Sequence, residues 1–223
     1  MACKSKPCNV KKSEIENSGK NIEWTNYPSP NEKKFGNGKF CYFYSCRDVE
    51  LPLRDYVKKK EPCYENQSYN EFSKCNQNII KNAEKNGISY IIFFTKYQGN
   101  KKSDNKDYRN GYFITGLFPI SATRKVQSRI AIKSDSSIFL SITDSIELNE
   151  KVWKEWFNEK FPTDKKRRNH NGHYMRKRLN KNDTAMKAIR SHFEKKKSEN
   201  KLADYIDELK KRKHNYPTKS YLQ

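Results

Sequence analysis

Residues 88–120 read ISYIIFFTKYQGNKKSDNKDYRNGYFITGLFPI, and they contain the densest apolar run in an otherwise polar chain. Ile88, Tyr90, Ile91, Ile92, Phe93 and Phe94 are β-branched or aromatic, with no Gly or Pro among them. That composition predicts a strand buried on both faces rather than a short helix. A loop from Gln98 to Asn110 follows, rich in Lys, Asp and Asn, which can bury almost nothing. Gly111 then leads a second run, Tyr112 to Phe118, that stops at Pro119. Two apolar runs joined by one polar loop predict an antiparallel hairpin, and this hairpin is expected at the centre of the fold.

Working outward, Phe40 to Cys46 reads as a second aromatic strand, and the punctuated stretch from Cys46 to Lys60 as a loop. Phe72, Cys75, Ile79 and Ala83 share one stripe of an amphipathic helix, with Ser68 as its cap and Asn86-Gly87 as its end. Beyond the hairpin, Val126–Ile132 alternates and Ser137–Ile146 (SIFLSITDSI) reads as a further strand. Asn149 is placed to cap a helix through Val152, Trp153, Trp156 and Phe157, with Leu148 and Trp153 as a hydrophobic staple and Pro162 as its stop. A helix from Asp183 or Thr184 carries Ala185, Met186, Ile189 and Phe193, and a last one carries Leu202, Tyr205, Ile206 and Leu209. The order predicts an α+β fold with a curved, mostly antiparallel sheet. The division expected is a domain over 1–162, including a polar Cys-containing N-terminal segment, with a basic loop and helices over 163–223 packed on it.

The chain carries 47 Lys/Arg against 26 Asp/Glu, a net charge of +21. A balance of that kind points to a polyanionic partner, and DNA or RNA is the expectation. The charge is uneven: residues 151–223 hold 22 Lys/Arg and 9 Asp/Glu, net +13. Its densest part, KKRRNHNGHYMRKR over 165–178, has seven cations and no acid. Lys165, Lys166, Arg167, Arg168, Arg176, Lys177 and Arg178 are expected to hold phosphates, with Tyr174 stacking on a base. Trp24, Tyr44, Tyr97 and Tyr112 are further stacking candidates, from ring type and position near strand ends.

Other chemistry is less well supplied. Cys3/Cys8 and Cys41/Cys46 repeat a C-x4-C spacing and could together furnish a structural zinc, although C-x2-C is the spacing that forms a tight knuckle. His170 and His173 sit among cations that repel a divalent ion. No phosphate-binding Gly-rich loop or nucleophile elbow occurs. Catalysis is therefore not expected, and no catalytic residue is assigned. Two alternatives stay open: a metal-dependent nuclease or base-processing enzyme using His170, His173 or the cysteines, and a protein-interaction module acting through the helix Leu202–Leu209. No window matches a membrane span and no apolar leader opens the chain, so a soluble cytoplasmic protein is expected.

The pattern YIIFFTKYQGN…YRNGYFITGLFPI followed by SIFLSITDSIEL resembles the PUA-like superfamily, which includes the EVE, ASCH and YTH domains. The resemblance spans about residues 85–157; the Tyr-Trp pair that opens EVE domains is absent, so it names no subfamily. It implies a small β-barrel flanked by helices that binds RNA, or a modified base in DNA extruded into an aromatic pocket.

Overall fold

A computed structural model describes residues 23–46, 48–52, 68–69, 83–98, 111–126, 129–161 and 177–211, with the backbone alone at 42–45, 68–69, 125–126, 129–131 and 209–210. The strands, in chain order, are β1 (Thr25–Asn26), β2 (Asn37–Cys46), β3 (Ser68–Tyr69), β4 (Ile88–Tyr97), β5 (Gly111–Pro119), β6 (Ala122–Val126), β7 (Arg129–Lys133), β8 (Ile138–Phe139), β9 (Ile146–Glu147) and β10 (Arg178–Leu179). The helices are α1 (Glu150–Phe157), α2 (Thr184–Lys195) and α3 (Leu202–Lys211), with one turn of 3-10 helix at Lys197–Glu199. The chain is α+β, as its element order predicts.

The hairpin is the centre of the larger sheet. β4 and β5 pair antiparallel from Tyr90 opposite Pro119 to Tyr97 opposite Gly111. A bulge leaves Thr115 as the extra residue, and its hydroxyl lies 2.9 Å from that of Thr95. On the far side of β4 runs β2, parallel to it, so the sheet is mixed. β10 closes on β2, while β8 and β9 pair at separate points along β5. The smaller sheet has the order β1-β6-β7-β3 and is fed directly from β5 through Ile120-Ser121. Among the described residues neither sheet closes on itself, so the small barrel implied by the PUA-like resemblance is replaced by two open sheets.

Both faces of the β4–β5 hairpin are covered, which is why its strands read as nearly continuous apolar runs. Phe40, Ile92, Phe94, Ile114 and Leu117 face Trp153 of α1 and Ala185, Met186, Ile189 and Phe193 of α2. Ile91, Phe93, Phe113 and Phe118 face Ile132 of the small sheet and Tyr205 of α3. A bulge in β2 between Tyr42 and Ser45 resets the alternation, so Cys41 and Cys46 both turn to this second face.

Several local expectations change. Ser137–Ile146 yields two short strands separated by a turn, because Ser141 Oγ accepts the Asp144 N–H (3.1 Å) and competes with sheet pairing. Asn149 caps α1 as expected, its Oδ1 accepting the Val152 N–H at 3.0 Å. The helix ends at Asn158, which adopts φ 48° and closes the last turn, rather than at Pro162. The backbone of Ser68 pairs with Lys133 in β3. The remainder of the helix expected over 72–82 lies outside the described residues.

Gly87 does sit in the left-handed region, with φ +61°, and a Cβ there would stand 1.9 Å from the Lys34 carbonyl oxygen. Gly87→Ala is expected to destabilise the protein by about 1–3 kcal/mol, because a strained dihedral and a backbone clash add. Urea unfolding monitored by circular dichroism checks this; an unchanged midpoint would mean that the Lys34 turn moves away freely.

Candidate nucleic-acid interface

Lys39, Lys177, Arg178 and Lys181 lie at the edge of the large sheet where β10 pairs with β2. The sequence N-E-K-K-F-G-N-G-K-F (31–40) turns at Gly36, with φ +108°, and enters β2 through Gly38. A Cβ on Gly38 would come within 2.7 Å of both Ile92 and Met186, so this glycine lets α2 lie close against the sheet. Leu179 pairs opposite Gly38 and is buried with the α2 residues, which seats β10 against β2. Lys181 locks the corner: its N–H donates to Asn37 Oδ1 (3.0 Å), and its ammonium to the carbonyls of Glu32 and Lys33 (3.3 and 3.2 Å).

Lys39 and Arg178 stand directly opposite each other across this edge. The Phe40 N–H donates to the Lys177 carbonyl (3.4 Å), one step along from the pair. That is the pattern of a non-hydrogen-bonded antiparallel pair, in which facing side chains come closest. Arg178 donates to neutral Asn86 Oδ1 at 2.7 Å. Among the described residues no carboxylate makes an ion pair with either Lys39 or Arg178. Burial pushes the Lys39 ammonium below its usual pKa; Cys41 opposes that shift, and Arg178 adds a smaller push downward. Lys33, Lys34 and Lys85 are exposed nearby in sequence to this corner, with Glu32 and Glu84 among them.

The expected phosphate-holding residues divide here. Lys165, Lys166, Arg167, Arg168, Tyr174 and Arg176 lie outside the described residues, as do His170 and His173. The two flanks of that segment are described, and they land on one cluster. Phe161 meets Trp153 edge-on at 6.2 Å between centroids. Lys177 lies over Phe157 and Trp153, at 4.9 and 5.6 Å from the ring centroids, and pairs with Glu159. Lys177 thus has an internal role that its sequence context did not reveal, while Arg178 points to the Lys39 side of the sheet.

The stacking candidates also divide. Tyr97 and Tyr112 are 4% and 8% exposed and pack against Phe113 and Phe94 in the two core clusters, so neither offers an open ring face. Tyr44 has no described side chain. Trp24 is half-buried, with the Arg124 guanidinium 5.1 Å from its ring. Cys41 and Cys46 are buried in the core, and Cys3 and Cys8 lie outside the described residues. Among the described residues no group of three His, Cys, Asp or Glu side chains could hold a metal.

A second polar cluster joins the Ser141–Ser145 turn to the end of α2. Ser141 Oγ donates to Asp144 Oδ2 (2.8 Å), Lys196 donates to Asp144 Oδ1 (2.7 Å), and His192 Nε2 meets the Asp144 carbonyl at 2.6 Å. The Lys196 bond holds the Asp144 carboxyl below the usual carboxylate value of 3.8. Its contribution to stability is therefore complete above that value and is lost as pH falls through the lower, folded-state pKa. Asp144→Asn is expected to melt below wild type at pH 7, with the gap closing below about pH 3.8. Thermal melts from pH 2 to pH 8 read this; a gap that does not narrow as pH falls below about 3.8 would assign the loss to packing.

No family model, curated protein or solved structure matches this chain.

Proposed function

We propose that this protein binds nucleic acid through the basic segment 165–178 and the adjoining β2–β10 edge. The observation that carries the reading is the Lys39–Arg178 row, two cations side by side with no described carboxylate on them, at the point where the densest basic stretch rejoins the sheet. A partner of repeating negative charge offsets that repulsion, and phosphate contacts supply affinity without regard to sequence. The net charge of +21 supports the same class of partner.

The finer part of the proposal is recognition of a modified base. It rests on the resemblance of residues 85–157 to the PUA-like superfamily. Trp24, flanked by Arg124, is the described candidate ring that lies outside both core clusters. Catalysis is not part of the proposal. Of the apolar stripe expected to dock a partner on α3, Tyr205 is fully buried in the molecule's own core and Leu202 and Ile206 pack beside it.

Binding of single- and double-stranded DNA and RNA across a salt series, with and without Mg²⁺ and with the products resolved on a gel, tests the reading. Salt-sensitive binding with intact product is expected. Cleavage that requires Mg²⁺ would make the protein a nuclease, and absence of binding would remove nucleic acid as its partner.

A further inference from the structure

Lys39 is an unusual residue for its place. It stands in β2 beside β4, where its register partner is Ile91, and its own neighbours Phe40 and Cys41 are fully buried. The parity of β2 sends Lys39 to the same face as Cys41, and the parity of β10 sends Arg178 to the face away from Leu179. The two cations therefore share one face at the open edge of the sheet, in the pair type that brings side chains nearest. Like charges directly opposite on a sheet are destabilising, and a half-buried ammonium with no carboxylate partner among the described residues adds to the cost. A threonine or a glutamate at either position would relieve it. A local charge conflict that no carboxylate among the described residues relieves marks a place where an anion from outside would fit.

We propose that Lys39 and Arg178 form a two-point phosphate seat, which takes one backbone phosphodiester and so fixes the nucleic acid at the β2–β10 edge. The inference rests on the nucleic-acid reading above and adds to it a residue, Lys39, that lies far in sequence from the basic segment. Arg178 presents a planar guanidinium, held on one side by Asn86, that leaves donors for a phosphate oxygen. Lys39 supplies the second charge, directly opposite on the same face. A phosphodiester has one anionic centre with two free oxygens, which matches two cations on one face.

The test is Lys39→Met, which keeps the apolar stem and removes the charge. Two readouts of opposite sign separate a binding lysine from a structural one. Melting temperature without nucleic acid is expected to stay level or rise, because the repulsion from Arg178 is gone. Affinity for the best-binding nucleic acid is expected to fall about tenfold, the loss of one charge-assisted hydrogen bond. The salt slope should shrink by about 0.9 on duplex or about 0.7 on a single strand, the value of one phosphate contact. Wild-type affinity and slope in this variant, where the wild type itself binds, would overturn the seat and leave the wider reading in place. A melting temperature lowered together with affinity would assign Lys39 to the fold and also overturn it. If the wild type binds no nucleic acid, the wider reading fails first, and inorganic phosphate decides the seat. Phosphate should then raise the melting temperature above chloride at equal ionic strength in the wild type alone, and an equal rise in Lys39→Met would discard it.

Discussion

Alanine in place of Trp153 is expected to destabilise the protein by about 3–5 kcal/mol, the range for deleting a fully buried large aromatic. Trp153 is 0% exposed. Its ring meets Phe157 at 4.4 Å and Phe161 edge-on at 6.2 Å, and Lys177 lies over it at 5.6 Å. It sits at the fourth position of α1, with Leu148 immediately before the Asn149 cap, so the same substitution removes the staple that sets the entry of that helix. Against a total stability of about 5–15 kcal/mol, the loss is at least about a fifth of the whole. Urea denaturation of Trp153→Ala beside Trp153→Phe measures it, and the phenylalanine variant should recover a large part. A loss below about 1 kcal/mol would mean that α1 is peripheral to the core. The effect has a functional arm as well. Phe161 and Lys177 bracket the basic segment, and both rest on this ring, so nucleic-acid affinity should fall in the variant even at temperatures where it stays folded.

The second large effect concerns charge alone. Exchange of Lys165, Lys166, Arg167, Arg168, Arg176 and Arg178 for alanine is expected to lower affinity by at least about a hundredfold near physiological salt. The salt slope should shrink by about 0.9 for each duplex phosphate contact removed. Lys177 is kept in this variant because it packs on Phe157 and pairs with Glu159, and its loss would blur binding with stability. The reduction should be nearly uniform across sequences, since phosphate contacts position without specifying. Unchanged affinity at low salt would remove the segment from the interface. A loss confined to one sequence would make it a base reader instead. Salt-dependent fluorescence anisotropy on two unrelated oligonucleotides distinguishes these outcomes.

The centre of this fold was readable because burial on both faces leaves a mark in composition. Ile91, Ile92, Phe93 and Phe94 are consecutive and apolar, and only a strand covered above and below makes use of all four. Helix caps were readable for a similar local reason: Asn149 acts on a backbone N–H three residues away. What failed to show was decided at a distance or by side chains competing with the backbone. Ser137–Ile146 has the apolar content of a strand, but Ser141, Asp144 and Ser145 bond within their own turn and break it. Lys177 and Arg178 are adjacent cations in one basic run, yet one lies over aromatic rings and the other faces a lysine. Nothing in the run KRL distinguishes them until Gly38 and Leu179 fix the register. Lys39 was missed because its cross-strand neighbour comes from a residue nearly 140 positions later in the chain. Its signal was present but faint: a single cation inside a stretch, GKFCYF, where both faces of the strand are otherwise occupied.

The parallel pairing of β2 with β4 has a consequence for how the chain assembles. β4 reaches β5 across thirteen residues, whereas forty-one separate the end of β2 from the start of β4. Short closures are made first, so the hairpin forms while the other edge of β4 is still bare. That bare edge is Ile91-Ile92-Phe93-Phe94, an uncharged template for another copy of the same strand. Only the arrival of β2 covers it, and among the described residues β2 in turn has the short β10 with Lys177 beside it across its own outer edge. Slow, dilute refolding should therefore give monomer where rapid refolding at high concentration gives aggregate, with the order of strand addition, more than final stability, deciding the yield.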